Sequence, residues 1–357
     1  MNTLSRRIQE LSLETWGSGR ELVIEGDHPG LTAVLEKLER FARYEFPLLI
    51  TGESGVGKEL FARGFYLLSS RRGQSFLSVN CPQYQDGNLT VSELFGHLKG
   101  SFTGAVKDHQ GIFESANGGM VFLDEIGDLH PQAQVILLRF LAEKEFTPVG
   151  SNQTRKADVR VVAATNLDLL EQVAAGKFRL DLYYRLRYFR LRIPALRERG
   201  DDWKELACHY LAQLNDEHGV QKRFSKESFE TLQRYHWPGN IRELKSIVTL
   251  GFSASQGDVI QPNDILDDLE SHSHNGSPQE DMAEYFRRML EEGECFWKVV
   301  YDPFMNRELN RRQVKSIVRM GLKESRNSYR GVLKVFRIPE EQYLKFMDFL
   351  RHHDLKP

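Results

Sequence analysis

Residues 48–60 read LLITGESGVGKEL. Three apolar residues lead into Thr51, and Gly52, Gly57 and Lys58 then fall in the spacing G-x-x-x-x-G-K ahead of an amphipathic stretch. A strand before and a helix after are the context in which such a loop wraps a phosphate. The glycines let backbone N–H groups turn inward, and the helix start adds its positive end. The candidate phosphate-binding residues are therefore Gly52, Glu53, Ser54, Gly55, Val56, Gly57, Lys58 and Glu59, with Lys58 reaching the β and γ phosphates. Glu59 stands where the common pattern has Ser or Thr, so the hydroxyl ligand for Mg²⁺ is missing and the metal must use other groups. The bland alternative is a glycine-rich strand-to-helix turn, and the lysine argues against it.

The runs FPLLITG (46–52), SFLSVNC (75–81), GGMVFLDEI (118–126) and VRVVAATN (159–166) are each nearly continuous in apolar residues, as strands buried on both faces are. They alternate with helical stretches, which predicts an α/β domain with a parallel sheet flanked by helices. In such sheets ligands sit beyond the carboxyl ends of the strands. The third run ends there in Asp124, placed to hold Mg²⁺, and Glu125, placed to polarise a water against a γ-phosphate. The fourth ends in Thr165 and Asn166, short polar side chains that can touch the phosphate or the water. An acidic helix start and a plain strand-end turn are the bland readings of these positions. Phosphate loop, acid pair and polar strand end together point to a nucleoside triphosphatase.

Composition narrows the class. The 357 residues carry a net charge of −2, so the chain as a whole is neither a polybasic coat nor an acidic disordered tail. Cys81, Cys208 and Cys295 have no metal-site spacing and suggest no disulfide framework, which points to a reducing cytoplasm. No stretch approaches the roughly 20 apolar residues of a membrane span, and the first residues have no signal-peptide run. Residues 1–25 form a polar extension too short for a sensory domain, which leaves three alternatives open: regulation by a separate protein, regulation by concentration, or a chain that is part of a longer system. The α/β region is expected over 26–190 and an all-helical region over 191–270, with DWKELACHYLAQLNDEHG and SKESFETLQRYH as amphipathic helices. A polar linker, SHSHNGSPQED, follows at 271–281, and then a helical segment at 282–357.

The motifs GESGVGKE, ELFGHLKGSFTGA, GGMVFLDEIGDL, VRVVAATN, FRLDLYYRL, LRERGDD and WPGNIRELK stand in this order, and with them residues 20–265 resemble the AAA+ ATPase domain of bacterial enhancer-binding proteins, the activators of sigma-54 RNA polymerase. The resemblance implies an AAA+ P-loop fold with a helical lid, ATP and Mg²⁺ as cofactors, and a hexameric ring with ATP sites between subunits. It implies that the loop Gly100, Ser101, Phe102, Thr103, Gly104 and Ala105 touches the sigma factor, with Ser101 in place of the family's Ala. It implies that Asn80 is a switch residue pairing with Glu125, that Arg179 and Arg185 are arginine fingers reaching a neighbour's γ-phosphate, and that Arg242 is a second sensor of nucleotide. Leu180 and Arg187 depart from the family's Glu and Asn beside the fingers. A local Asp181–Arg185 pair four residues apart is the bland alternative for the fingers. Around Arg242, Pro238 and Gly239 predict a turn, Asn240 a helix cap and Glu243 the far side of a capping box.

Activators of this family usually end in a DNA-binding helix-turn-helix. Residues 328–353 keep its apolar spacing, but the second helix would begin Pro339-Glu340-Glu341-Gln342, which sets two carboxylates against phosphate. The end is therefore a degenerate helix-turn-helix. Upstream, positions 307–337 hold ten basic and two acidic residues. Arg311, Lys315, Arg319 and Lys323 recur every four residues, continued by Arg326 and Arg330, as a candidate DNA-backbone stripe or a solvated helix face. Three functions stay open: an activator that binds promoter-upstream DNA itself, an activator brought to its promoter by a partner protein, and a AAA+ remodeller of another target.

Overall fold

A computed structural model describes residues 2–83, 87–265, 285–290, 293–305, 309, 311–325, 328–353 and 355, with the backbone alone at 83, 311, 312 and 352. The expected linker at 271–281 and Arg326 lie outside the described residues. The chain divides into two compact units, Met1–Ile265 and Leu266–Pro357.

The first unit is built on a five-stranded parallel sheet: β1 (Leu48–Thr51), β2 (Phe76–Asn80), β3 (Met120–Asp124), then β6 (Arg160–Thr165) and β7 (Phe189–Arg192). A small antiparallel pair, β4 (Glu145–Phe146) with β5 (Arg155–Lys156), lies between β3 and β6 in the chain. The order across the sheet is β2-β3-β6-β1-β7. Side chains alternate faces along each strand. Leu49, Val121, Leu123, Val161 and Ala163 therefore enter one core, and Leu48, Ile50, Met120, Phe122, Val162 and Ala164 enter the other. Burying each large aliphatic side chain stabilises the fold by about 1.5–3 kcal/mol. Arg160 is the exception on β6. Its buried guanidinium lies 4.1 Å from the centre of the Phe65 ring and donates to the carbonyls of Phe41, Ala42 and Phe46.

Four of the five strands coincide with apolar runs in the sequence. The fifth, Phe189–Arg192, was not expected, because two of its four residues are arginines. It is an edge strand, where one side can stay wet. The N-terminal residues form a helix, Thr3–Trp16, whose start is capped by the Asn2 side chain accepting the Ser5 N–H at 2.8 Å. Ile8 seals the helix into the second core.

The region after the sheet is not purely helical. Helices Asp202–His218, Lys226–Gln233 and Asn240–Ala254 are joined by a two-residue parallel pairing, β8 (Arg223–Phe224) with β9 (Val259–Ile260). Ser225 caps the second of these helices through the Ser228 N–H.

The second unit is helical and has its own core. Helices Arg311–Glu324, Tyr329–Val335 and Tyr343–His352 close over Phe296, Val314, Ile317, Val332, Phe336 and Phe346. Gly321 is required where the first helix meets the Phe336 ring, since a Cβ there would lie 2.6 Å from it. Glu340–Gln342 form a separate short 3-10 turn rather than the first turn of the last helix.

Candidate nucleotide site

The loop between β1 and the helix Lys58–Leu68 forms a turn only glycine makes easily. Gly55 and Gly57 have φ of +80° and +93°. A Cβ on Gly55 would strike the carbonyl oxygen of Gly239, so the loop and the turn before the Asn240–Ala254 helix touch through bare backbone. Ser54, Gly55, Gly57, Lys58, Glu59, Asp124, Glu125 and Arg242 line one cleft of about 260 Å³. Residues as far as 188 apart in sequence thus meet on one cavity.

Inside the cleft Lys58 is 7% exposed. Its ammonium donates to the carbonyls of Gly52 and Glu53 at 3.2 and 3.4 Å and lies 3.3 Å from Glu125 Oε1. Glu125 follows the last residue of β3 with φ +50°, a left-handed conformation uncommon outside glycine. That turn aims its carboxylate back over the sheet end. Its second oxygen accepts the backbone N–H of Asn166 at 3.2 Å. Burial first, and then the neighbouring Glu125 charge, push the Asp124 carboxyl above its ordinary value. Two carboxylates held this close favour a cation between them and a phosphate. Among the described residues there is no cluster of three or more acidic, His or Cys ligands. This suits Mg²⁺, which takes one or two carboxylates and completes its shell with substrate phosphates and water.

The other expected residues divide. Thr165 is fully buried and its hydroxyl accepts the Leu167 N–H at 3.0 Å, so it shapes the turn that presents Asn166. Asn80 lies opposite Asp124 in the β2–β3 register. Glu125 is nevertheless bonded to Lys58 and the Asn166 amide, and the expected Asn80–Glu125 hydrogen bond is absent among the described residues. Glu59 points out of the loop to Arg63, one helical turn on, at 2.7 Å.

Arg179 is the cap residue ahead of the short helix Leu180–Leu186 and Arg185 stands in its last turn; neither lines the cleft of their own chain. Asp181 pairs with Arg179 at 2.8 Å rather than with Arg185. Arg179 stands before the helix and Asp181 in its first turn, which brings the two side chains together. Arg185 reaches only the Tyr188 hydroxyl, at 3.4 Å, and its surroundings expose Leu180, Tyr184 and Tyr188.

Arg242 donates to the Ser54 hydroxyl at 3.1 Å, so the expected sensor arginine does meet the phosphate loop. Its helix starts differently from expectation. Gly239 is the cap position, and Glu243 reaches back to the Gly239 N–H at 2.8 Å. Asn240 is the first residue of this helix and does not cap it. It has φ +54°, is completely buried, and its carboxamide donates to Glu53 and to the Ser54 carbonyl. Arg197 forms a two-pronged ion pair with the same Glu53 carboxylate. The sequence singles out Asn240 only as a helix cap, and Arg197 not at all. A second clamp ties the same region to the N-terminal strap. The buried Asp202 carboxylate accepts the N–H groups of Asp27 and His28 and the Arg199 guanidinium, which also donates to the Glu25 carbonyl.

The loop of Gly100 to Ala105 is displayed at a distance in sequence from these groups. The helix Gly87–Phe95 runs into it, and it closes with the Gly100 N–H on the Ala105 carbonyl at 2.8 Å. Gly100 and Gly104 have φ of +78° and +104° with nothing within reach of a Cβ. Phe102 is not a free tip. It is half-buried, edge-on to His97 at 5.0 Å, while Thr103 is exposed and Val106 is 79% exposed.

In the second unit Arg319 and Lys323 lie exposed along the Arg311–Glu324 helix. Lys315 is half-buried and has a partner. Arg330 sits on the next helix, 5.9 Å from the centre of the Tyr343 ring. Positions 311, 315, 319 and 323 of the expected stripe thus share one helix, and Arg330 of its continuation lies on the next. No described helix is long and apolar enough to cross a membrane.

Residues 24–192 match the Sigma-54 interaction domain family, and residues 197–282 match the AAA+ ATPase lid domain family. The chain is 45% identical over 237 residues to the Nif-specific regulatory protein of Azospirillum brasilense, covering 66% of this chain and 38% of the relative. It is 44% identical over 259 residues to the hydrogenase transcriptional regulatory protein HoxA of Cupriavidus necator, covering 72% and 53%. It is 42% identical over 254 residues to the response regulator protein PilR of Pseudomonas aeruginosa, covering 71% and 57%. The chain thus spans between 38% and 57% of the length of these curated relatives. Among solved structures, NtrX from Brucella abortus in complex with ATP superposes with a TM-score of 0.65 at 24% identity, over 94% of this chain and 70% of that one, a likeness of fold.

Proposed function

We infer the function from one premise: the chain belongs to the family of sigma-54-dependent transcriptional activators, through its Sigma-54 interaction domain and AAA+ lid. On that premise the cleft at Lys58 is an ATP site, and the protein uses hydrolysis to remodel the closed promoter complex of sigma-54 RNA polymerase. The observation that carries this reading is the meeting of Lys58, Asp124, Glu125 and Arg242 on one cavity. The phosphate loop N–H groups and Lys58 bind the triphosphate. Lys58 then exchanges the Glu125 carboxylate for phosphate oxygens, which leaves Glu125 free to orient the attacking water. Asp124 is the residue that would hold Mg²⁺, which when bound neutralises charge on the phosphates. Thr165 presents Asn166 beside that water, and Arg242 reads the nucleotide from the lid.

Arg179 and Arg185 act on the site of a neighbouring copy in a ring, since neither lines the cleft of their own chain and the surface around them is exposed and partly apolar. Thr103, exposed between two glycines, makes the sigma-54 contact, with Phe102 braced on His97 behind it. The protein acts in the cytoplasm, and the second unit reaches promoter-upstream DNA through Arg319, Lys323 and Arg330. A second reading, in which a partner protein supplies the promoter address, is favoured by Glu340 and Glu341 exposed ahead of the last helix and Leu344 72% exposed on it.

The test is hydrolysis and promoter opening measured together. The wild-type chain hydrolyses ATP and opens a sigma-54 promoter, and Thr103→Ala keeps hydrolysis and loses opening. A wild-type chain without hydrolysis removes the enzyme reading, and a Thr103→Ala chain that still opens the promoter removes the sigma contact.

A further inference from the structure

We propose that Asn240 is a positioning residue that holds the phosphate loop in its nucleotide-receiving shape, so that the lid sets how tightly the cleft takes ATP. The inference rests on the reading of the cleft as an ATP site. Three successive loop residues are each bonded from the lid. The Glu53 carboxylate receives Arg197 and the Asn240 amide, the latter at 3.1 Å. The Ser54 carbonyl receives the same Asn240 amide at 3.0 Å. The Gly55 carbonyl receives the Ile241 N–H at 3.0 Å.

A phosphate loop works by pointing its N–H groups inward, and the matching carbonyls must then point out. Buried carbonyls need donors. Asn240 supplies one while its own Oδ1 accepts the Leu196 N–H at 2.8 Å. Its side chain therefore bridges both ends of the lid connection to the loop. The backbone pays for this placement: Asn240 and the buried Trp237 both sit at φ near +55°. A strained, fully buried polar side chain that donates to two loop residues and to the Pro238 carbonyl of its own turn, and accepts from Leu196, ties the lid to the loop. It touches no nucleotide; it acts through Glu53 and Ser54.

The experiment is ATP titration and steady-state hydrolysis with the full chain. Asn240→Gly removes the carboxamide and takes φ +54° freely, so the backbone is not further strained. It is expected to raise the Kd and KM for ATP about tenfold, the effect of losing roughly one to two net hydrogen bonds, with a smaller change in kcat. Asn240→Asp turns a carboxylate on Glu53 and is expected to bind more weakly still. Adding Glu53→Gln to Asn240→Asp restores a donor–acceptor pair at that contact and recovers part of the lost affinity, a rescue that a merely structural role does not produce. Wild-type Kd and KM in Asn240→Gly, or no recovery in the double variant, overturns the proposal alone. A wild-type chain that binds no ATP overturns the site reading and this proposal together.

Discussion

The two units handle their charges in opposite ways. In the first, the ionisable groups of the cleft are each tied to a named partner: Lys58 to Glu125 and two carbonyls, Glu53 to Arg197 and Asn240, Arg242 to Ser54. In the second, Arg319, Lys323, Glu340 and Glu341 stand in solvent around an aromatic core. Tied charges define a reaction geometry, because their partners hold the side chains in place until substrate replaces them. Solvated charges define only a field, which acts on any nearby polyanion and fades with salt. The first unit is therefore read by chemistry and the second by association.

Three experiments sharpen that contrast. The largest effect is expected at Glu125. Glu125→Ala removes the carboxylate proposed to orient water and should lower ATP turnover by about 10²–10⁴-fold, measured as phosphate release. Turnover within a few-fold of wild type would mean that the cleft's fixed geometry does not include Glu125 as its base. Phe336→Ala comes next. Phe336 is fully buried against Phe296, Phe346 and Gly321, and truncation should cost about 3–5 kcal/mol in the second unit's own unfolding transition. Hydrolysis by the first unit should survive, and its loss would break the division into separate cores. The smallest effect belongs to the exposed cations. Arg319→Ala or Lys323→Ala should weaken DNA binding uniformly across sequences and reduce the salt slope by about one each. An unchanged slope would turn the second unit from a DNA surface into a protein-docking one.

What could be read from the sequence follows the same division. Strands β1, β2, β3 and β6 are apolar on both faces, so composition alone marks them, and the phosphate loop and acid pair sit at their ends. Strand β7 was missed because Arg190 and Arg192 alternate with Phe189 and Leu191, and only its place at the sheet edge makes that acceptable. Asn240 was read as a cap because an Asn after Pro-Gly and three before Glu243 has that spacing. Its left-handed backbone and complete burial decide otherwise, and both come from tertiary contact with the phosphate loop. The usable signal was the Gly before it, which already fills the cap position. That Phe102 is half-covered is not legible in the loop itself, since the His97 ring against it belongs to the incoming arm of the loop. In the last helix the carboxylates were placed in its first turn, whereas Pro339 starts a separate 3-10 turn that holds them apart.

The lid is pinned from two sides, and the pins are unequal. On one side the buried Arg199–Asp202 pair grips the strap at residues 25–28, and at 2–6% exposure, disrupting such a pair costs about 3–5 kcal/mol. On the other side Arg197 holds Glu53 while more than 40% exposed, where an ion pair contributes about 1 kcal/mol or less. The ion pair at the strap is thus the stronger of the two, and beside the phosphate loop the lid's grip rests on the buried Asn240 carboxamide and the Ile241 N–H rather than on that exposed pair.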